Sequence, residues 1–219
     1  MALYLIGLGL DGKGISIHGK TLIRNCRNVY LENYTVNFPY TKKVLEKVLK
    51  VKLKDADREF VEGDGLVKLA KNQTVCLLIY GSPLSATTHI SLLNDCKKAR
   101  VKYKVVYAGS VFDAIAESGL SLYKFGKVTS LPRWQKNFTP KSFMEVIKDN
   151  QKIGAHTLIL IDIGLKFDDA REQLKKSGFK EEVIVCSQLG IKPKFEAGNL
   201  DKINAGKVKA PWCLIVPSV

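Results

Sequence analysis

The sequence contains little that would indicate a metal centre, a disulfide framework or a membrane segment. Its 219 residues include five cysteines and three histidines. No two cysteines form a CxxC pair and the histidines are far apart in the chain, so neither a zinc site nor a disulfide framework is predicted. No apolar run approaches the ~20 residues that a membrane-spanning helix needs. We therefore expect a cytoplasmic protein with no membrane partner and no metal.

Acidic residues are also few relative to basic ones. The chain has 35 lysines and arginines against 21 aspartates and glutamates, which gives a net charge of +14. The basic residues are spread along the chain, with clusters at 42–58 and 97–104. Binding of single-stranded nucleic acid requires aromatic side chains interleaved with the basic ones. These clusters lack that interleaving. We interpret the clusters as solvated surface, with an acidic partner as the alternative, and expect no nucleic-acid partner.

Apolar periodicity predicts an α/β fold with two domains. Residues 2–6 and 74–80 are apolar runs typical of buried strands, and segments with helical spacing lie between the predicted strands of the first half. Such alternation indicates a mostly parallel sheet. Strands dominate the second half, where 156–162 is strongly apolar, so a mixed sheet is predicted there. The two predicted domains span residues 1–119 and 120–219.

Two predicted strands end in glycine-containing turns. The first strand leads into Gly7-Leu8-Gly9-Leu10, and the strand at 74–80 leads into Gly81-Ser82-Pro83-Leu84. Parallel strands bring their carboxyl ends to one edge of a sheet, where α/β proteins bind ligands. Glycine lets a ligand approach the backbone without a Cβ in the way. The sequence therefore predicts a ligand site in which the two turns lie side by side.

The first turn also satisfies the pattern GxGxxG, and Glu32 follows Gly12 by 20 residues. This is the dinucleotide-binding fingerprint. In that fingerprint the helix begins within the motif, so that its N-terminus faces the pyrophosphate. Here the residues after Gly12 continue the loop, and Ser16 is the predicted helix cap. We therefore do not expect a nicotinamide or flavin cofactor.

Two polar side chains have alternative interpretations. His89 lies near the start of a helix predicted over 86–100, where it is either a general base or a hydrogen-bond partner of nearby backbone. Asp162 ends the apolar strand 156–162, where it either contacts a ligand or caps a loop. The sequence leaves both questions open.

The two glycine turns resemble those of the diphthine synthase family, within the tetrapyrrole-methylase fold group. The resemblance extends over nearly the whole chain and includes residues 34–35, 85–89, 107–111, 123–127 and 214–217. It implies a two-domain fold with a ligand cleft between the domains and S-adenosyl-L-methionine as cofactor. It also implies methylation of the amino group of the modified histidine of translation elongation factor 2, in diphthamide biosynthesis, by a homodimer.

The resemblance further implies which positions contact the cofactor. They follow the carboxyl ends of predicted strands in the first domain and lie near strand ends in the second. The expected contacts are Leu10, Ser82, Ser85, Ser110, Val111, Ile161, Leu189 and Trp212. The resemblance assigns no catalytic residue.

The chain departs from the family pattern at three places. Ser82 replaces a typical aspartate, Trp212 replaces a typical histidine, and the sequence ends two residues after Pro217, where relatives continue. Two alternatives to the leading hypothesis are therefore kept. One is a methyltransferase of the same fold that acts on a tetrapyrrole or an RNA ribose. The other, suggested by the departures, is a non-catalytic cofactor-binding relative.

Overall fold

The computed structural model describes residues 1–218. Its internal contacts divide the chain into two units, the first spanning Met1–Ala114 and the second beginning at Ile115. The domain limits drawn from the sequence, 1–119 and 120–219, and the ligand cleft between the domains stay predictions.

The first unit is built on a five-stranded parallel sheet. The strands are β1 (Ala2–Gly7), β2 (Asn28–Glu32), β3 (Lys54–Ala56), β4 (Thr74–Ile79) and β5 (Lys102–Val106). Their order in the sheet is β3-β2-β4-β1-β5. The central strand β1 pairs in parallel with β4 on one side and with β5 on the other. The parallel sheet predicted from the alternating pattern is confirmed.

Helices cover both faces of this sheet. They are α1 (Ile17–Arg24), α2 (Lys42–Leu49), α3 (Arg58–Glu62), α4 (Gly65–Asn72), α5 (Ile90–Lys98) and the short α6 (Val111–Ala114). The side chains of β4 alternate between the two faces. Cys76 and Leu78 pack with residues of α1 and α2, whereas Leu77 packs with residues of α3, α4 and α5. This explains why β4 reads as a continuous apolar run, since both of its faces are buried.

The two predicted helix starts have different outcomes. Ser16 is the N-cap of α1, and its side chain accepts a hydrogen bond from the Gly19 amide, as predicted. The helix predicted over 86–100 is wrong at its start, because α5 begins only at Ile90. Ala86 has a φ of +57°, which is incompatible with a right-handed helix, so the preceding residues form a longer loop.

One pair of cysteines forms a disulfide, although no disulfide framework was predicted from the sequence. The structure joins Cys26 and Cys76 in a disulfide, with Cα atoms 6.1 Å apart. The two are separated by 50 residues in sequence, and only the packing of α1 against the sheet brings them together. The other cysteines, Cys96, Cys186 and Cys213, are free and buried.

The second unit contains a mixed five-stranded sheet. Its strands are β6 (Thr129–Leu131), β7 (Thr157–Ile161), β8 (Glu182–Ser187), β9 (Lys194–Asn199) and β10 (Trp212–Val216), in the order β6-β7-β10-β8-β9. Strands β6 and β7 are parallel, and the remaining pairs are antiparallel. The predicted mixed sheet is confirmed.

Two longer helices supply the core of the second unit. They are α7 (Ser142–Lys152) and α8 (Phe167–Lys176), and short 3-10 helices lie at Ile115–Ser118, Leu122–Lys124 and Ala205–Lys207. Phe143 and Ile147 of α7 and Leu174 of α8 are buried against strand residues such as Leu214. The helical spacing of these apolar residues places them on the sheet-facing side.

Candidate functional site

The two glycine turns are hydrogen-bonded to each other. The Gly9 amide donates to the Gly81 carbonyl at 3.1 Å, and the Gly81 amide donates to the Gly9 carbonyl at 2.9 Å. Both glycines have positive φ, at +70° and +71°, a conformation that L side chains rarely adopt. The predicted side-by-side arrangement of the turns is therefore confirmed.

Gly7 is the point where the segments that follow β1, β4 and β5 meet. A Cβ at Gly7 would lie 2.7 Å from the Gly81 carbonyl oxygen, 2.9 Å from Ala108 Cβ and 3.0 Å from Pro83 Cδ. These separations are shorter than real carbon contacts, so only glycine fits. The missing side chain thus allows the loops to converge at the carboxyl edge of the first sheet.

At the same edge, the backbone of Gly109 is exposed. A Cβ at Gly109 would meet nothing within 4 Å among the described residues. Gly81 is itself buried, although a Cβ there would meet only Ser110 Cα at 3.8 Å and the Gly109 oxygen at 3.9 Å, which are ordinary van der Waals distances. Open space beside glycine backbone is what a ligand needs to approach peptide groups closely.

The predicted contacts of the first unit all follow β1, β4 or β5, and the structure brings them to this edge. Ser82 and Ser110 are buried, with 5% and 4% of their surface exposed. Leu10, Ser85 and Val111 are half-buried. The edge therefore combines open backbone with partly buried apolar side chains and hydroxyl groups.

Ser110 is held at the start of α6 by a carboxylate. Its amide and its hydroxyl donate to Asp113 Oδ2 at 2.7 and 2.9 Å. Because the hydroxyl hydrogen is used in this way, the oxygen of Ser110 retains acceptor capacity for a ligand donor. Sequence reasoning missed Asp113, although an acidic residue three positions after a serine is a known helix-start signal.

Tyr80 positions the first turn and was also missed. Its hydroxyl donates to the Leu10 carbonyl at 2.9 Å. Burial, and to a lesser extent the Asp11 carboxylate, raises the pKa of Tyr80, so the phenol keeps the proton that it donates. Phe38 packs edge-on against the ring, with centroids 5.3 Å apart. The sequence contains no signal for the hydrogen bond between Tyr80 and Leu10, because these residues are 70 positions apart.

The predicted contacts of the second unit lie together at one edge of its own sheet. Ile161 ends β7 and Trp212 begins the antiparallel β10, whose next residue pairs with Leu160. Trp212 also pairs with Ser187, the last residue of β8, and Leu189 follows two positions later. The indole packs edge-on against Phe167, with centroids 5.5 Å apart.

Two carboxylates that were candidates for ligand contact are used by their own loops. Asp162 accepts hydrogen bonds from the Arg133 and Ile163 amides at 3.0 and 2.9 Å, which favours the loop-capping alternative. Glu32 is fully buried, and its oxygens accept from the Tyr34 amide at 3.1 Å and the Thr35 hydroxyl at 2.8 Å. Glu32 is therefore occupied where a dinucleotide fingerprint needs a free ribose ligand.

His89 is buried, with 1% of its surface exposed. Its Nδ1 atom lies 3.1 Å from the Pro83 carbonyl oxygen. This contact favours the backbone-bonding alternative over a general base that must reach a substrate.

Within residues 1–218, no group of three or more His, Cys, Asp or Glu side chains is arranged to hold a metal ion. In the same part of the chain, no helix is both long enough and apolar enough to cross a membrane.

Comparison with known proteins defines the family. A sequence model of the Tetrapyrrole (Corrin/Porphyrin) Methylases matches residues 2–204, and the chain belongs to this family. It is similar to diphthine methyl ester synthase of Homo sapiens, with 40% identity over 176 residues, which are 79% of this chain and 62% of that protein. The corresponding protein of Schizosaccharomyces pombe is 40% identical over 166 residues, 74% of this chain and 59% of that protein.

A solved structure of a diphthine synthase is also similar. It matches with a TM-score of 0.90 and 27% identity, over 100% of this chain and 90% of that chain. The resemblance inferred from the motifs and the α/β fold class are thus confirmed. The chain nevertheless spans less than two thirds of the length of the curated relatives named above.

Proposed function

We propose that the chain is an S-adenosyl-L-methionine-dependent methyltransferase of diphthamide biosynthesis. Its proposed acceptor is the amino group of the modified histidine of translation elongation factor 2. The observation that carries the proposal is the hydrogen-bonded pair of glycine turns, with exposed glycine backbone at Gly109 on the same edge. This edge occurs in a chain 40% identical to diphthine methyl ester synthases.

The residues at this edge fit such a cofactor. S-adenosyl-L-methionine has ribose hydroxyls, an adenine ring with apolar faces, and a methionine moiety with an amino and a carboxylate group, and the edge offers peptide groups, hydroxyls and apolar side chains. When bound, the cofactor supplies an activated methyl group. The chain's own residues then have to bind the cofactor, orient it toward the acceptor and exclude water from the site. The proposed contacts are Leu10, Ser82, Ser85, Ser110 and Val111 on the first unit and Ile161, Leu189 and Trp212 on the second.

The name of the relatives favours a second acceptor atom. An ester is formed when a methyl group is transferred to a carboxylate oxygen, and the relatives are called diphthine methyl ester synthases. A carboxylate of the same modified side chain is therefore a candidate acceptor beside the amine. The two products differ in chemistry, because mild alkali hydrolyses a methyl ester and leaves an N-methyl group in place.

The test is transfer of a labelled methyl group to elongation factor 2 that carries the unmethylated precursor. We expect label on the protein, and alkali then separates ester-bound from nitrogen-bound methyl. A tetrapyrrole and ribosomal RNA serve as competing acceptors. Label on either of these, with none on elongation factor 2, would replace the proposed substrate. Tight cofactor binding without transfer to any acceptor would favour the non-catalytic alternative.

Replacing Tyr80 with phenylalanine should weaken cofactor binding about fivefold. The change keeps the ring but removes the donor to the Leu10 carbonyl, and one such hydrogen bond contributes roughly 1 kcal/mol. Isothermal titration calorimetry with the cofactor and its demethylated product measures the effect. Tyr123→Phe is the matched control, since the Tyr123 side chain is fully exposed. Equal affinities in the two variants would show that Tyr80 does not position the glycine turn at 7–10 for the cofactor.

We also propose, from the family resemblance, that the protein is a cytoplasmic homodimer. Size-exclusion chromatography with light scattering distinguishes a dimer from a monomer of 24.4 kDa.

A further inference from the structure

His89 holds the turn that precedes α5 from inside the first unit. Its Nδ1 atom is 3.1 Å from the Pro83 carbonyl oxygen, and the hydroxyl of Thr87 donates to the same oxygen at 2.7 Å. A carbonyl oxygen has two lone pairs, so these contacts use its full capacity. Because this oxygen only accepts, Nδ1 must be the ring nitrogen that carries a hydrogen and donates.

Pro83 connects this contact to the candidate site. Its ring lies against Gly7, where a Cβ would come within 3.0 Å of Pro83 Cδ. The peptide segment around it is closed by the Ser85 amide, which donates to the Ser82 carbonyl at 3.0 Å. Pro83 is therefore fixed through its ring on one side and its carbonyl on the other, between two serines proposed to contact the cofactor.

The burial of His89 has a cost that needs an explanation. The other ring nitrogen, Nε2, is buried and has no hydrogen-bond partner among the described residues. A buried polar atom without a partner loses its hydrogen bonds to water and gains none in exchange, which destabilises the folded state. An aliphatic side chain of similar size would fill the same space without this cost. The hydrogen bond from Nδ1 to the Pro83 carbonyl is therefore what a histidine supplies here and an aliphatic side chain does not.

We propose that His89 is a positioning residue for the glycine turn at 81–84, which it keeps in place by donating from Nδ1 to the Pro83 carbonyl. The imidazole does not contact the cofactor in this role. It acts through Pro83 on Ser82 and Ser85. The proposal rests on the proposed function only in naming the ligand, because the geometry of the turn is a property of the chain itself.

The test compares two substitutions that differ in the donor. His89→Leu fills the space of the imidazole but has no donor. His89→Asn has an amide nitrogen that is the same number of bonds from the backbone as Nδ1. Ser91→Ala is the matched control, since Ser91 donates to the Thr88 carbonyl near the same helix start and does not touch Pro83. Thermal stability is measured for each variant, so that a general loss of folding is recognised.

Two readouts separate the parts of the proposal. Hydrogen exchange at the Ser85 amide, measured without ligand, should be about tenfold faster in His89→Leu and close to wild type in His89→Asn and Ser91→Ala. The dissociation constant of the cofactor should rise about tenfold in His89→Leu and stay near the wild-type value in the other two variants. It is measured at a temperature at which thermal unfolding shows every variant to be folded. Unchanged exchange in His89→Leu, or equal changes in the leucine and asparagine variants, would overturn the positioning role. A wild-type protein that binds no cofactor would contradict the proposed function, while the exchange result still decides whether His89 orders the turn.

Discussion

Replacing Gly7 with alanine should destabilise the first unit by about 3 kcal/mol and abolish cofactor binding. The added Cβ would lie 2.7 Å from the Gly81 carbonyl oxygen, which is backbone and cannot rotate away. Overpacking of this kind costs roughly 1–3 kcal/mol where side chains can adjust. For a chain of this size, such a loss lowers the melting temperature by roughly 6–12 °C. Because the Gly81 carbonyl that the added Cβ would displace also accepts from the Gly9 amide, we expect the two turns to shift and binding to fail even in the folded protein.

Gly12→Ala is the matched control within the same glycine motif. A Cβ there would meet Val44 and Tyr40 at 3.7 and 3.8 Å, which is ordinary van der Waals contact. We expect a change in stability below about 0.5 kcal/mol and near-normal cofactor affinity. Calorimetry and thermal unfolding of both variants decide the matter. A Gly7→Ala protein with normal stability would show that the loops do not converge as described, and a Gly12→Ala protein that loses binding would revive the dinucleotide interpretation.

The positions of the two turns were predictable because they depend on local pattern and sheet direction. Apolar runs identified β1 and β4, and parallel strands necessarily present their carboxyl ends at one edge. The direct hydrogen bonds between Gly9 and Gly81 add detail to this expectation without changing it. The cap at Ser16 was equally predictable, since a serine before a helical pattern supplies an acceptor for a free amide.

Contacts between distant segments were not predictable. The Tyr80 hydroxyl reaches Leu10 across 70 residues, and Cys26 meets Cys76 only after α1 packs on the sheet. The late start of α5 has a different cause. Ala86 favours a helix by propensity, but it adopts a left-handed conformation, and the Thr87 hydroxyl donates to the Pro83 carbonyl. A local side-chain hydrogen bond to the backbone and a left-handed residue thus override a weak helix preference.

Gly109 offers the second strong test, because it separates ligand binding from folding. A Cβ at Gly109 would meet no described atom within 4 Å, and its φ lies outside the left-handed region, so an added Cβ causes neither a clash nor strain. Gly81 is less suitable, since its φ of +71° would strain any other residue. Gly109 directly precedes Ser110 and Val111, two of the proposed cofactor contacts. A leucine here should therefore occupy the space of the ligand and lower cofactor affinity at least about 100-fold, which corresponds to roughly 2.7 kcal/mol.

The size of the side chain at Gly109 should set the size of the effect. Gly109→Ala should weaken cofactor binding only a few-fold, against at least about 100-fold for Gly109→Leu. The melting temperatures of both should stay within about 2 °C of wild type, as expected for substitutions that disturb no packing. Calorimetric titration and thermal unfolding of the same preparations give both quantities. Normal binding by the leucine variant would show that the cofactor does not approach the backbone at Gly109, and would remove the main support for a cofactor site at this edge. A loss of stability in the alanine variant would instead show that the space beside Gly109 is filled by protein.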